Sequence, residues 1–161
     1  MFPDCQTGAE RKRCGVLATI DREAISGAET FLAEGDGFMR VVVNAHKRPK
    51  IFTTELTFNM LTMAIEKHAM AILMSRGKLP ENHTFMDLLD GLKWVVPVSE
   101  ANHALLLTLH AQESMCSLEV PAKPRIPESE RLQEYIGLGL KMQAAAREML
   151  SGGGEPSYAL E

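Results

Sequence analysis

Six residues, Lys78 among them, separate Arg76 from His83. A guanidinium could stabilise charge developing on a phosphate, and an imidazole works near neutral pH as acid or base, so this pair has the makings of phosphodiester chemistry. A second run, His46-Lys47-Arg48-Pro49-Lys50, could contact phosphate or serve as a solvated link. Five residues are too few for a nucleic-acid footprint on their own. Glu100-Ala101-Asn102-His103 has the Glu-x-x-His spacing that dimetal helical bundles use twice. No second copy accompanies it, and an acid in a first helical turn is favoured by the helix dipole alone. His103 and His110 share a helix face but lie roughly 10 Å apart, too far to chelate one ion. No metal and no cofactor are therefore expected. The glycines at 152–154 follow a helix and precede none, which excludes a phosphate-cradling loop.

Composition narrows the classes. The 161 residues suit one domain around a single core. Ten methionines and only 6% aromatic residues favour helices over strands. A net charge of −4 argues against a non-specific polyanion binder. Cys5, Cys14 and Cys116 form no C-x-x-C pair. With no basic, apolar leader and no run of roughly 18 apolar residues, the chain is expected to be cytoplasmic, without a membrane span.

Five helices should position these residues. Thr7-Gly8-Ala9-Glu10 has capping-box spacing. It starts a helix with Leu17, Ile20, Ala24, Ala28 and Phe31 inside, which is expected to end at Gly35-Asp36-Gly37. Residues 38–50, including Val41-Val42-Val43, read as an irregular basic linker. The second helix, about Phe52 to Ser75, carries Phe58, Leu61, Ile65, His68 and Ile72 on one stripe, with His68 read as a hydrogen-bonded core histidine. Glu55, Asn59, Thr62 and Glu66 form a polar strip opposite. Gly77 and Pro80 break the chain. A third helix runs from about His83 to Val96, with Thr84-Phe85-Met86-Asp87 as an alternative cap. Ser99 caps a fourth, whose inner side is Ala101, Leu105, Leu109, Gln112 and Cys116. Residues 120–127 are a proline-rich linker. The fifth helix, to about Leu150, should bury Leu132, Tyr135, Gly139, Met142, Ala146 and Met149. Residues 151–161 read as a flexible tail.

The run Glu66-Lys67, Met74-Ser75-Arg76-Gly77, Pro80, His83 and Leu88-Leu89 resembles the HEPN family (higher eukaryotes and prokaryotes nucleotide-binding domains). Those are helical bundles in which a helix ending at Gly is followed by a proline-containing loop, a His and a Leu-rich helix. The resemblance covers about 30 residues closely and the five-helix order loosely. It implies an all-α, up-and-down bundle that dimerises and binds a nucleotide, RNA or a nucleotidyltransferase partner, as in toxin-antitoxin pairs, without an established reaction of its own. Arg76 and His83 would be the catalytic pair of the family's metal-independent ribonucleases, with Lys78, Lys47 and Arg48 as binding residues. A protein-interaction domain sharing only the shape is the alternative.

Overall fold

A computed structural model describes residues 24–80, 84–113 and 127–152. Five helices are described, α1 (Ala28–Asn44), α2 (Thr54–Ser75), α3 (Phe85–Leu92), α4 (Glu100–Glu113) and α5 (Ser129–Leu150). Among the described residues there is no strand, so the all-α bundle expected from composition and periodicity is the fold.

α2 is the axis. Thr53 adopts an extended conformation and accepts the Leu56 amide on its side chain at 3.2 Å, which starts the helix. Phe58, Leu61, Ile65, His68 and Ile72 are all buried, together with Ala64, Ala69, Met70, Leu73 and Met74. So broad an apolar surface needs neighbours on several sides. α1, α5 and α3 supply them. Removing each large aliphatic side chain from water contributes about 1.5–3 kcal/mol. The polar strip opposite is only partly solvated: Glu55 and Asn59 are exposed, whereas Thr62 is buried and donates to the Asn59 carbonyl at 2.9 Å.

α1 runs antiparallel to α2, since Ile25 donates its amide to Met74 O at 2.8 Å at one end and Gly35 meets His68 further along. α5 lies beside both in the direction of α2, with Tyr135 tilted against Phe58 at 5.8 Å and Gly139 against Leu61. A Cβ at Gly139 would come within 2.8 Å of Leu61 and 3.0 Å of the Met39 sulfur, so this glycine sets how closely the three helices approach. Every residue of the expected α5 stripe is buried.

The start of the bundle differs from expectation. α1 does not stop at Gly35-Asp36-Gly37 but passes through it, and Phe38–Asn44, expected as linker, is helix. Only a 3-10 turn at Ala45–Lys47 and a short loop remain before α2. Two helical glycines cost about 1 kcal/mol each relative to alanine. Here long-range contacts offset that cost: Gly35 admits the His68 ring, and Asp36 collects three side-chain partners from α2 and α5. Val42 turns into the core. The Thr7 capping box lies outside the described residues, and Gly27, at φ 99°, turns the chain into α1.

α3 is shorter than expected. Thr84, the alternative cap, is the residue that starts it, accepting the Asp87 amide at 3.3 Å. Ser99 caps α4 as expected through the Asn102 amide. In the first two turns of α4 the inner side is shifted by one, to Asn102 and Leu106, leaving Ala101 exposed and Leu105 half-buried, while Leu109 is buried as expected. Residues 120–126 of the proline-rich linker and 153–161 of the tail lie outside the described residues.

Candidate functional site

The residues singled out by chemistry fall at opposite ends of α2. Its 22 residues separate those ends by about 33 Å. Lys47 and Arg48 stand before its first turn, Arg76 and Lys78 just after its last, and the two groups cannot share one concave surface. His83 lies outside the described residues.

At the carboxyl end, the break is built by backbone hydrogen bonding. Gly77 takes a left-handed conformation at φ 66°, donating to Met74 O at 3.0 Å, while Lys78 donates to Leu73 O at 2.9 Å. This double closure satisfies the last carbonyls of α2, and glycine enters the left-handed region without a Cβ penalty. Arg76 is the half-buried capping residue and has no ion pair among the described residues. Beyond it, Leu73, Lys78, Leu79, Pro80, Asp87 and Trp94 line an open groove of about 380 Å³. Trp94 is 78% exposed and Leu79 58%.

At the amino end, a second cavity of about 380 Å³ lies between the end of α1 and the first turns of α2 and α5. Its floor and walls are mainly apolar, with Val42, Val43, Phe52, Leu132 and Ile136, and Thr54, Thr57 and Gln133 bring polar groups to it. His46 and Pro49 wall it on the loop side. The same loop carries Lys47, Arg48 and Lys50, all exposed and in no ion pair among the described residues. Lys47 donates to the neutral side-chain oxygen Oδ1 of Asn44 at 2.6 Å, which orients the ammonium without cancelling its charge. The positive end of the α2 dipole points the same way. An anion with an apolar body fits this arrangement: the body enters the cavity and the charge meets the loop.

Between the two ends lies a polar network that the sequence did not reveal. His68, fully buried on α2, reaches Asp36 Oδ1 at 3.2 Å. Gln143 donates to the same oxygen at 2.6 Å, and Arg147 donates to Oδ2 through Nε at 3.1 Å and through a terminal nitrogen at 2.8 Å. Burial alone would raise the Asp36 pKa. The hydrogen bonds from Gln143, Arg147 and His68, with the charge of Arg147, outweigh it and hold the carboxyl below its usual value. Burial pushes the His68 pKa down, and its bond to Asp36 only partly opposes this. His68 is thus neutral at pH 7, with its proton on Nε2, because a carboxylate can only accept. Nδ1 is buried, with no hydrogen-bond partner among the described residues. With no exposed ring atom, His68 is the hydrogen-bonded core histidine expected, joining α1, α2 and α5 instead of meeting a substrate. Gln143 and Arg147 are spaced four apart on α5, a helical signal that names no partner 107 and 111 residues away.

Glu100 and His103 occupy the first turn of α4, and among the described residues no three His, Cys, Asp or Glu side chains cluster to hold a metal. His110 stacks on Phe85 with centroids 6.3 Å apart. No helix among the described residues is long and apolar enough to cross a membrane. Set against known proteins, the chain matches no family model, no curated protein and no solved structure.

Proposed function

We propose that the chain is a HEPN-like binding domain that takes a nucleotide or an RNA terminus in the cavity behind the 46–50 loop, without catalysing a reaction. One observation carries the reading: a mainly apolar cavity of about 380 Å³ is bordered at His46 and Pro49 by a loop whose Lys47, Arg48 and Lys50 have no ion pair among the described residues, in a protein of net charge −4. A base or its sugar would occupy the space lined by Phe52, Val43 and Ile136, where Thr54, Thr57 and Gln133 offer hydrogen bonds. Lys47 and Arg48 would meet the phosphates, Arg48 by its planar fork and Lys47 as a point charge. In a paired system, a nucleotidyltransferase would be the protein partner.

The test is fluorescence anisotropy of labelled ATP and of a short single-stranded RNA. Reversing both charges in Lys47→Glu/Arg48→Glu should weaken binding by about tenfold or more, and the affinity of the native protein should fall with salt, as phosphate contacts require. Equal affinity in the double variant rejects the cavity as the site. Arg76 is removed from this cavity by the length of α2, so ribonuclease chemistry by Arg76 and His83 would be a separate activity. It would appear as metal-free RNA cleavage that disappears in His83→Ala.

A further inference from the structure

The cavity at the amino end of α2 carries polar groups that no neighbour uses. Thr57 and Thr62, both on α2, are equally buried, each at 6% exposure. Thr62 donates its hydroxyl to the Asn59 carbonyl at 2.9 Å. Thr57 makes no side-chain hydrogen bond among the described residues, and it lines the cavity. Buried hydroxyls are nearly always paired, so one left free beside an open volume points to a group that enters it. On the α5 wall the side-chain amide of Gln133 is also without a hydrogen bond among the described residues.

The chemistry of these groups selects among bases. An amide presents one donor and one acceptor side by side, and a hydroxyl can act as either. Adenine sets its amino donor next to a ring-nitrogen acceptor, and glutamine pairs with that edge through both of its atoms. Guanine turns two adjacent donors, the N1 hydrogen and the 2-amino group, to one edge, which a carboxylate would accept together. Among the described residues no carboxylate lines the cavity. The 2-amino group would therefore be left against Val42, Val43, Leu132 or Ile136, and a buried donor without an acceptor weakens binding. Adenine has only a C–H at that place. A pyrimidine could pair with the amide, but it would cover less of the apolar lining.

We propose that the cavity is selective for adenine, with Gln133 pairing to the amino edge through both its atoms and Thr57 bonding a second ring nitrogen. The inference rests on the proposed nucleotide site and names its ligand, an adenine nucleotide, free or at the end of an RNA.

Isothermal titration calorimetry on the full chain with ATP, GTP and ITP tests it. ATP should bind about tenfold or more tightly than GTP, and ITP, which lacks the 2-amino group, should bind better than GTP. In Gln133→Glu a carboxylate accepts both guanine donors and offers adenine no hydrogen. The added charge weakens both nucleotides, so the ratio is the readout, and it should turn in favour of GTP. Thr57→Val keeps the side-chain volume and should weaken ATP by about threefold to tenfold, with the far-UV circular dichroism of the native protein. A short single-stranded RNA ending in adenosine, titrated beside one ending in guanosine, tells an RNA end from a free nucleotide by which adenine ligand binds more tightly. Equal affinity for ATP and GTP, with both weakened in Lys47→Glu/Arg48→Glu, overturns adenine selectivity and leaves the nucleotide site standing. An ATP preference unchanged in Gln133→Glu and in Thr57→Val overturns the assignment to these residues. Binding of neither nucleotide overturns the selectivity and the site together.

Discussion

Alanine at Gly35 and at Gly37 should have opposite effects on stability, although both glycines lie within one helix, two residues apart. In an exposed helix each exchange would gain about 1 kcal/mol from helix propensity. At Gly37 nothing lies within 4 Å of the new methyl group, so Gly37→Ala should keep that gain and stabilise the protein by about 0.5–1 kcal/mol. At Gly35 the methyl would come within 2.7 Å of Cδ2 and Nε2 of His68, a ring that is fully buried and anchored to Asp36. Overpacking costs about 1–3 kcal/mol. Displacing the ring also weakens a hydrogen bond to a charged acceptor worth about 1.5–3 kcal/mol. Set against the propensity gain, Gly35→Ala should lose on the order of 2–4 kcal/mol. In a domain of this size that lowers Tm by roughly 5–15 °C, while Gly37→Ala raises it by a few degrees. Thermal and urea unfolding followed by circular dichroism at 222 nm read both. Equal shifts of the same sign would refute the claim that α1 is held through the glycine pair by His68 and Asp36.

The same network sets the pH response. Because burial lowers the His68 pKa from 6.5, the unfolded chain takes up a proton before the folded one does. The stability this contributes is complete above pH 6.5 and is lost as pH falls from there through the folded pKa. Asp36, also lowered, adds a second loss below pH 3.8. Urea midpoints should therefore decline from neutral pH downward, with a shallower decline in His68→Gln, and a midpoint that rises on acidification would contradict the assignment. Tyr135 is fully buried with its hydroxyl unpaired among the described residues, and burial raises its pKa. Tyr135→Phe should be neutral or stabilising by up to about 1 kcal/mol in urea unfolding, whereas a loss of 2 kcal/mol would reveal a hidden partner.

What could be read in advance depended on the range of the interactions. The inner stripes of α2 and α5 repeat at three and four residues, and burial follows that period with Leu132, Tyr135, Gly139, Met142, Ala146 and Met149 all inside. Caps are equally local: Thr84 and Ser99 announce α3 and α4 by residue type and spacing. α1 was not legible because its local signal is that of a helix end. The groups that override the signal are His68, Gln143 and Arg147, 32, 107 and 111 residues from Asp36. The phase of the first two turns of α4 is ambiguous in the sequence because Leu105-Leu106-Leu107 offers three apolar choices in succession; the structure takes Leu106 beside a buried Asn102, and Leu109 is inside as expected. For the candidate site, Lys47 and Arg48 could be picked by charge alone. The cavity beside them could not, because its lining joins residues 42–57 to 132–136 across the fold. Trp94 carried no signal of its own, since exposure is not a property of sequence.

Binding at the amino end of α2 is the central claim, and amide chemical-shift mapping during titration with ATP tests it most directly. Saturable shifts should cluster at residues 42–57 and at Leu132, Gln133 and Ile136, which wall the cavity, while Lys78, Asp87 and Trp94 stay unmoved. Shifts confined to the Arg76–Trp94 end, or none at millimolar nucleotide, would contradict it.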